Sequence, residues 1–298
     1  MDFIKEKELA QLATSAVLDL QPPANATHER LERIGVDGVV VDNFLSADEC
    51  ARLVQAAEAS GGFTFWDPDG SEQKKSVRNA DTVEFDDKSL CDQLYSRLLP
   101  YINPSVAFST ENEDTFETEL EGEWVATGLN THLLINRYAG GGHFAPHADG
   151  STVIDFNRRS LYTVLIYLND CSEGGQTQLL TCLDGASMTR PVDGARVARP
   201  EAILESVACR CGRALLYYHQ VLHAGAPVGK NATKYCLRSD VMYERRPPIC
   251  TLPKDLLAYD LVREARAKEA AGLPMEALPL YMRAAKQSPA VAKACQLR

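Results

Sequence analysis

The sequence contains no uninterrupted apolar run approaching the roughly 18 residues that would suggest a membrane-spanning helix. It is also short of basic side chains, with 31 Lys and Arg against 41 Asp and Glu, a net charge of −10. No basic patch offsets that balance, so phosphate backbones and anionic lipid heads are poor partners. The sequence predicts neither nucleic-acid nor membrane binding. Only 19 Gly and 15 Pro occur in 298 residues, which excludes collagen-like and low-complexity chains. Nine cysteines are scattered, odd in number and without a CxxC pair, and the amino-terminal MDFIKEKELA is charged where a secretory leader would be apolar. The expectation is a chain with reduced thiols, in cytosol or nucleus.

What is present divides into three parts. Residues 1–35 read as an amino-terminal helical extension, because Ile4, Leu9, Leu12, Ala16, Val17 and Leu20 recur at helical spacing. From 36 the β-rich VDGVVVDNFL leads to Ser46 and Glu49, a capping box opening a helix, and Leu90, Leu94, Leu98 and Leu99 predict another over 88–99. Short β segments follow at 131–138, 144–149, 160–168, 177–181, 202–207, 213–218 and 233–243, separated by turn residues. That spacing within 36–246 predicts a sandwich or a jelly roll. Residues 252–298 are helical and Ala-rich. Gly272, Ala277, Tyr281, Ala284 and Pro289 there are similar to the second half of a tetratricopeptide-type repeat, so a helical hairpin is expected.

Charge is unevenly placed. Between 111 and 123 lie Glu111, Glu113, Asp114, Glu117, Glu119, Glu121 and Glu123 with no basic residue among them. On a strand the last four would share one face, either as a solvated edge or as a negative rim drawing in a basic substrate.

The six histidines are the chemically informative residues. In NRYAGGGHFAPHADG, His147 and Asp149 are two apart and on a strand would leave the same face. His223 ends the apolar segment GRALLYYHQVLH, 74 residues after Asp149. Two His and one carboxylate on a single face are the ligand set of non-haem Fe(II) oxygenases, with three positions left open. His219-Gln-Val-Leu-His223 is a poor zinc-protease motif, since Gln220 stands where the general-base Glu belongs and the flanks are not helical. His219, His143 and His132 are read as structural or rim residues.

Further features accompany the pair in order: Tyr138 within RYAGGG, then RSLYTVLIYLND, GGQT, LHAG and KYCLRSDVMY. In that order the chain resembles the prolyl-4-hydroxylase-like branch of the Fe(II)/2-oxoglutarate-dependent dioxygenases, over roughly residues 36–245. The resemblance implies an α+β fold, a double-stranded β-helix (jelly roll) with flanking helices. It implies Fe(II) as cofactor on His147, Asp149 and His223, 2-oxoglutarate as co-substrate, and ascorbate as an accessory reductant. The co-substrate's distal carboxylate would fall to Lys234, eleven residues past His223, with Arg238 as the alternative. Tyr138 and Tyr167 match positions whose hydroxyls reach 2-oxoglutarate in relatives, with core packing as the competing role. Asp149 separates the chain from the related halogenases, which lack that carboxylate. Gln176 departs from the Glu that relatives carry in the GGxT turn.

The implied activity is hydroxylation of a prolyl or other residue in a protein. A free amino acid or other small molecule is the alternative substrate, and a non-catalytic jelly-roll binding module the alternative of another class. Loops at 61–86 and 182–200 are expected to carry substrate choice, the latter as a lid or as plain solvated chain. Oligomeric state is not legible.

Overall fold

The computed structural model describes residues 9–12, 14, 17–19, 21–109, 118–183 and 188–297. The chain forms two compact units: Met1–Ile102 with Gly128–Gly150 and Leu161–Val241, and Asn103–Thr127 with Ser151–Ser160 and Met242–Arg298.

In the first unit two antiparallel sheets enclose the core, and with the helices they make the jelly roll anticipated from the β spacing. The larger sheet, of which strands Arg158–Tyr167 and Thr233–Arg246 belong only in part to this unit, runs Thr27–Arg30, Gly38–Asp42, Ala214–Tyr218, Arg158–Tyr167, Thr233–Arg246, His132–Ala139, Asp81–Asp86 and Thr64–Phe65. The smaller runs Ile203–Val207, Thr177–Leu180, His223–Gly225, His143–His147 and Arg78–Asn79. Their inner faces meet in one cluster that includes Tyr138, Tyr167, Leu215, Tyr217 and Cys236 from the larger sheet and Leu179 and Val207 from the smaller. Alternation along each strand sends every second residue into this layer.

The helix Ala47–Ala59 opens with the anticipated capping box, Ser46 accepting from the Glu49 amide while Glu49 accepts from the Ser46 amide. Glu49 is fully buried and matched by Arg97 at 2.7 Å from the helix Lys88–Leu98, which ties the two helices together. The expected amino-terminal helical extension falls largely on residues 1–8, 13, 15, 16 and 20, which lie outside the described residues. The described residues between 9 and 19 carry no helix, and Thr27–Arg30 is a strand paired with Gly38–Asp42. Contacts with distant elements decide this: the Ala10 amide donates to Glu84 O, Arg52 donates to Val17 O, and Val17 and Leu18 are buried.

In the segment 182–200, strands Thr189–Val192 and Ala195–Ala198 form a hairpin. Its tip is Asp193-Gly194 at φ 47° and 84°, the conformation that makes Asp-Gly a two-residue hairpin turn.

The second unit holds helices Pro253–Ala270, Pro274–Gln287 and Pro289–Ala294, so the expected hairpin gains a short third helix. Ala258, Tyr259, Val262, Ala284 and Val291 pack with Phe156 in its core. Ser288 caps the last helix through the Val291 amide and donates to Asp255 at 2.6 Å. The reading of the acidic stretch is corrected here. Glu119 lies in a short 3-10 turn, Thr118–Leu120, is 4% exposed, and places both carboxylate oxygens on Arg266. A buried carboxylate needs a cation, and Arg266 supplies it. Glu119 therefore belongs to neither a solvated edge nor a rim. Glu121 and Glu123 are exposed, and Glu111, Glu113, Asp114 and Glu117 lie outside the described residues.

Candidate metal centre

His147 and His223 are directly opposed cross-strand partners in the smaller sheet. Such partners carry their side chains on the same face within about 5 Å. Asp149 lies just past the end of the His143–His147 strand, its amide donating to His219 O. Its Oδ2 accepts from Thr163 Oγ1 at 2.7 Å and lies 3.1 Å from the Tyr217 hydroxyl. Thr163 and Tyr217 are themselves opposed partners in the larger sheet. Register in both sheets thus fixes the three groups. Together they form the cluster of metal-capable side chains found among the described residues, with donor atoms within 4.8 Å of one another.

The donor chemistry fits a divalent iron. The Nδ1 of His147 lies 2.8 Å from Ala145 O and that of His223 lies 2.9 Å from Val221 O. A carbonyl can only accept, so each Nδ1 carries the proton and each Nε2 presents a lone pair. His147 Nε2 is 3.6 Å from Asp149 Oδ1, and His223 Nε2 is 3.7 Å from Oδ2. Adjacent ligands about 2.1 Å from an octahedral metal stand about 3 Å apart, so small side-chain adjustments close the site. Burial, then the neighbouring His147, pushes the His223 imidazole down to about 4, which keeps it neutral. Burial works against the charge on Asp149. The His147 ring, Arg238 and His223 outweigh it and hold the carboxyl well below the usual range.

The cluster opens into a cavity of about 310 Å³ that Tyr138, Thr177, Lys234 and Arg238 also line. Lys234 is buried, donates to Gly175 O at 2.8 Å, and lies over the Tyr138 and Tyr167 rings. Arg238 stands 3.4 Å from both Asp149 and Asp240. Burial lifts the Tyr138 phenol to about 12, so its hydroxyl remains a neutral donor. Tyr167 takes the core-packing role that was its alternative. It is 0% exposed and outside the cavity lining, and its hydroxyl donates to Thr177 Oγ1 at 2.7 Å. It therefore supports Thr177 and Lys234 from behind.

The Gly174-Gly175 turn is structural: a Cβ on Gly174 would meet Pro227 O at 1.9 Å, and φ is +75°. His143 has both ring nitrogens near backbone carbonyls, of Gly141 and Ser76, and His219 lies 3.0 Å from Thr163 Oγ1 without joining the cluster. Thr163, Thr177 and Tyr217 were not singled out from the sequence. Strand parity could have placed Thr163 with Leu165 and Tyr167, but parity does not say which face meets Asp149.

Residues 133–239, a stretch that spans all three cluster residues, match the 2OG-Fe(II) oxygenase superfamily. Enzymes of that superfamily are iron- and 2-oxoglutarate-dependent dioxygenases, and the His-Asp-His cluster they require is present. No curated protein sequence matches the chain. Similar solved structures include the viral collagen prolyl hydroxylase of Paramecium bursaria Chlorella virus-1, solved with 2-oxoglutarate. It has TM-score 0.41 and 18% identity, over 70% of this chain and 96% of that one. A Pseudomonas putida prolyl-4-hydroxylase has TM-score 0.41 and 15% identity, over 74% and 92%. A Trichoplax adhaerens prolyl hydroxylase, solved with a hypoxia-inducible-factor peptide, has TM-score 0.41 and 18% identity, over 70% and 84%. The substrates in those names are theirs. No described helix is long and apolar enough to cross a membrane.

Proposed function

We propose that the chain is an Fe(II)/2-oxoglutarate-dependent hydroxylase in which His147, Asp149 and His223 hold the metal and Lys234 holds the distal carboxylate of the co-substrate. The observation that carries this reading is the opposed pair His147 and His223, each with Nδ1 anchored on a backbone carbonyl, closing on the ionised Asp149. Fe(II) with 2-oxoglutarate supplies, when bound, the oxidative decarboxylation to succinate and CO2 that inserts one oxygen atom of O2 into a substrate C–H bond.

The protein's own groups have separable tasks. Lys234 offers a charge-assisted hydrogen bond from inside the cavity, with Tyr138 and Thr177 as neutral partners on the same carboxylate. Arg238 is the weaker candidate for that role, because its guanidinium is already placed against Asp149 and Asp240. It orients Asp149 instead. Leu134, Leu165 and Phe144 line the same cavity and exclude water from the reacting centre.

The substrate is a prolyl or other residue of a protein, or, as the second reading, a free amino acid or other small molecule. A binding module without catalysis would have no use for a complete ligand set with a buried lysine beside it. The test is oxygen-dependent conversion of 2-oxoglutarate to succinate by the Fe(II)-loaded protein. Wild type is expected to turn over and His147→Ala to lose at least about 100-fold, whereas equal rates would end the proposal.

A further inference from the structure

The metal-site cavity is lined by three cationic side chains, Arg78, Lys234 and Arg238, and by one carboxylate, Asp149. Under the function proposed above, on which this inference rests, Lys234 is matched by the co-substrate, and Arg238 has Asp149 and Asp240. Asp149 and the co-substrate's near carboxylate offset the charge of the metal. Arg78 is left over.

Its setting is that of a recognition group. The strand Arg78–Asn79 pairs with His143–His147, and Arg78 is opposite Phe144. The guanidinium lies 4.8 Å from the Phe144 ring centroid, and Phe144 stacks on the metal-cluster residue His147 at 3.6 Å. One aromatic ring therefore separates the cation from the cluster. The Trp66 ring, 5.4 Å away, contributes a second aromatic contact, and Trp66 Nε1 donates to Arg78 O at 2.6 Å. Nη2 is fixed by Asn136 Oδ1 at 2.5 Å and Thr82 Oγ1 at 3.3 Å. Nε is buried and has no hydrogen-bond partner among the described residues, and none of their carboxylates pairs with this side chain. A half-buried guanidinium held rigidly with a donor unmet is costly unless a ligand completes it.

We infer that Arg78 is a specificity-determining residue that binds a carboxylate of the primary substrate beside the metal centre. The cavity thus selects an acid, opposite in charge to the basic substrate that the acidic stretch suggested.

The test uses the full chain loaded with Fe(II) and 2-oxoglutarate under argon, so that binding is read without turnover. Probes are matched pairs: N-acetyl-L-proline and its amide, benzoate and benzamide, and a pentapeptide carrying glutamate and its glutamine counterpart. The pairs separate a free small acid from an acidic side chain as the source of the carboxylate. At least one acid is expected to bind about tenfold or more tightly than its neutral counterpart. Arg78→Gln should bring that ratio within about threefold, and Arg78→Lys should restore part of it. Affinity for 2-oxoglutarate should move less than about threefold in both variants.

Neutral probes binding as well as acids, or no probe binding to wild type, would overturn the inference. So would Arg78→Gln weakening 2-oxoglutarate as much as the acids, which would make Arg78 a co-substrate residue, or lowering only the melting temperature, which would make it structural. If wild type failed to take up 2-oxoglutarate at all, the hydroxylase reading itself would fall, and the same titration shows that directly.

Discussion

Tyr217 sits between two residues of the cluster, its hydroxyl 3.1 Å from Asp149 Oδ2 and 3.0 Å from His223 Nε2. Its hydroxyl lies against two residues of the cluster, so we assign it a positioning role, and removing the hydroxyl should loosen the carboxylate rather than abolish the site. Outer partners of this kind typically contribute 10- to 100-fold to metal affinity. Tyr217→Phe is expected to weaken Fe(II) binding about tenfold while leaving the Michaelis constant for 2-oxoglutarate within about twofold. A metal titration paired with steady-state kinetics checks both. Lys234 and Arg238 should separate in the opposite sense. Lys234→Ala should raise the 2-oxoglutarate Michaelis constant at least about tenfold with metal affinity intact, whereas Arg238→Ala should act mainly through Asp149, on metal affinity and kcat.

At the scale of elements, the turn that presents Thr177 and Lys234's acceptor admits almost no change. Gly174→Ala would drive a methyl group against Pro227 O and force a positive φ on alanine, so it should lower the melting temperature by several degrees and weaken 2-oxoglutarate together. Gly194→Ala, also at positive φ but with nothing within 4 Å, is the control and should affect stability alone. The same elements show what the sequence could carry. The two-residue spacing suggested His147 with Asp149, although Asp149 lies just past the strand, capping chemistry placed Ala47–Ala59, and the β spacing located the strands to within a few residues. These are local properties. That His223 faces His147, and that Thr163 and Tyr217 receive Asp149, depends on register between distant strands, which no local pattern encodes. Tyr167 shows the same limit, since its face was legible but its depth was not. In the amino-terminal segment the described residues Ala10, Val17 and Asp19 make backbone contacts to Glu84, Arg52 and Glu49, distant partners that helical spacing does not encode.

For the whole molecule, the net charge of −10 says less than where individual charges are spent. Glu119 illustrates this. Burial alone would raise its carboxyl, but the Arg266 guanidinium outweighs burial and holds it below the ordinary carboxylate value. A folded-state pKa below the unfolded one means that the unfolded chain binds the proton more readily, so the stabilisation is present above about pH 4.5 and is lost as pH falls through the folded value. Glu119→Gln should therefore destabilise the second unit by about 1 kcal/mol at pH 7, where the partly exposed Arg266 loses its counter-charge but is screened by solvent, and by less at pH 3. Thermal melts of the two proteins across that range test the sign, and a gap that widened on acidification would refute it.

The central claim is that one cavity holds a metal on His147, Asp149 and His223 and an organic dianion on Lys234. Anaerobic calorimetric titration of 2-oxoglutarate into wild type, Asp149→Ala and Lys234→Ala, each equilibrated with Fe(II), tests it most directly. The account predicts one co-substrate per wild-type chain, loss of iron and of co-substrate binding together in Asp149→Ala, and intact iron with at least about tenfold weaker co-substrate in Lys234→Ala. Equal 2-oxoglutarate affinity in all three proteins would contradict it.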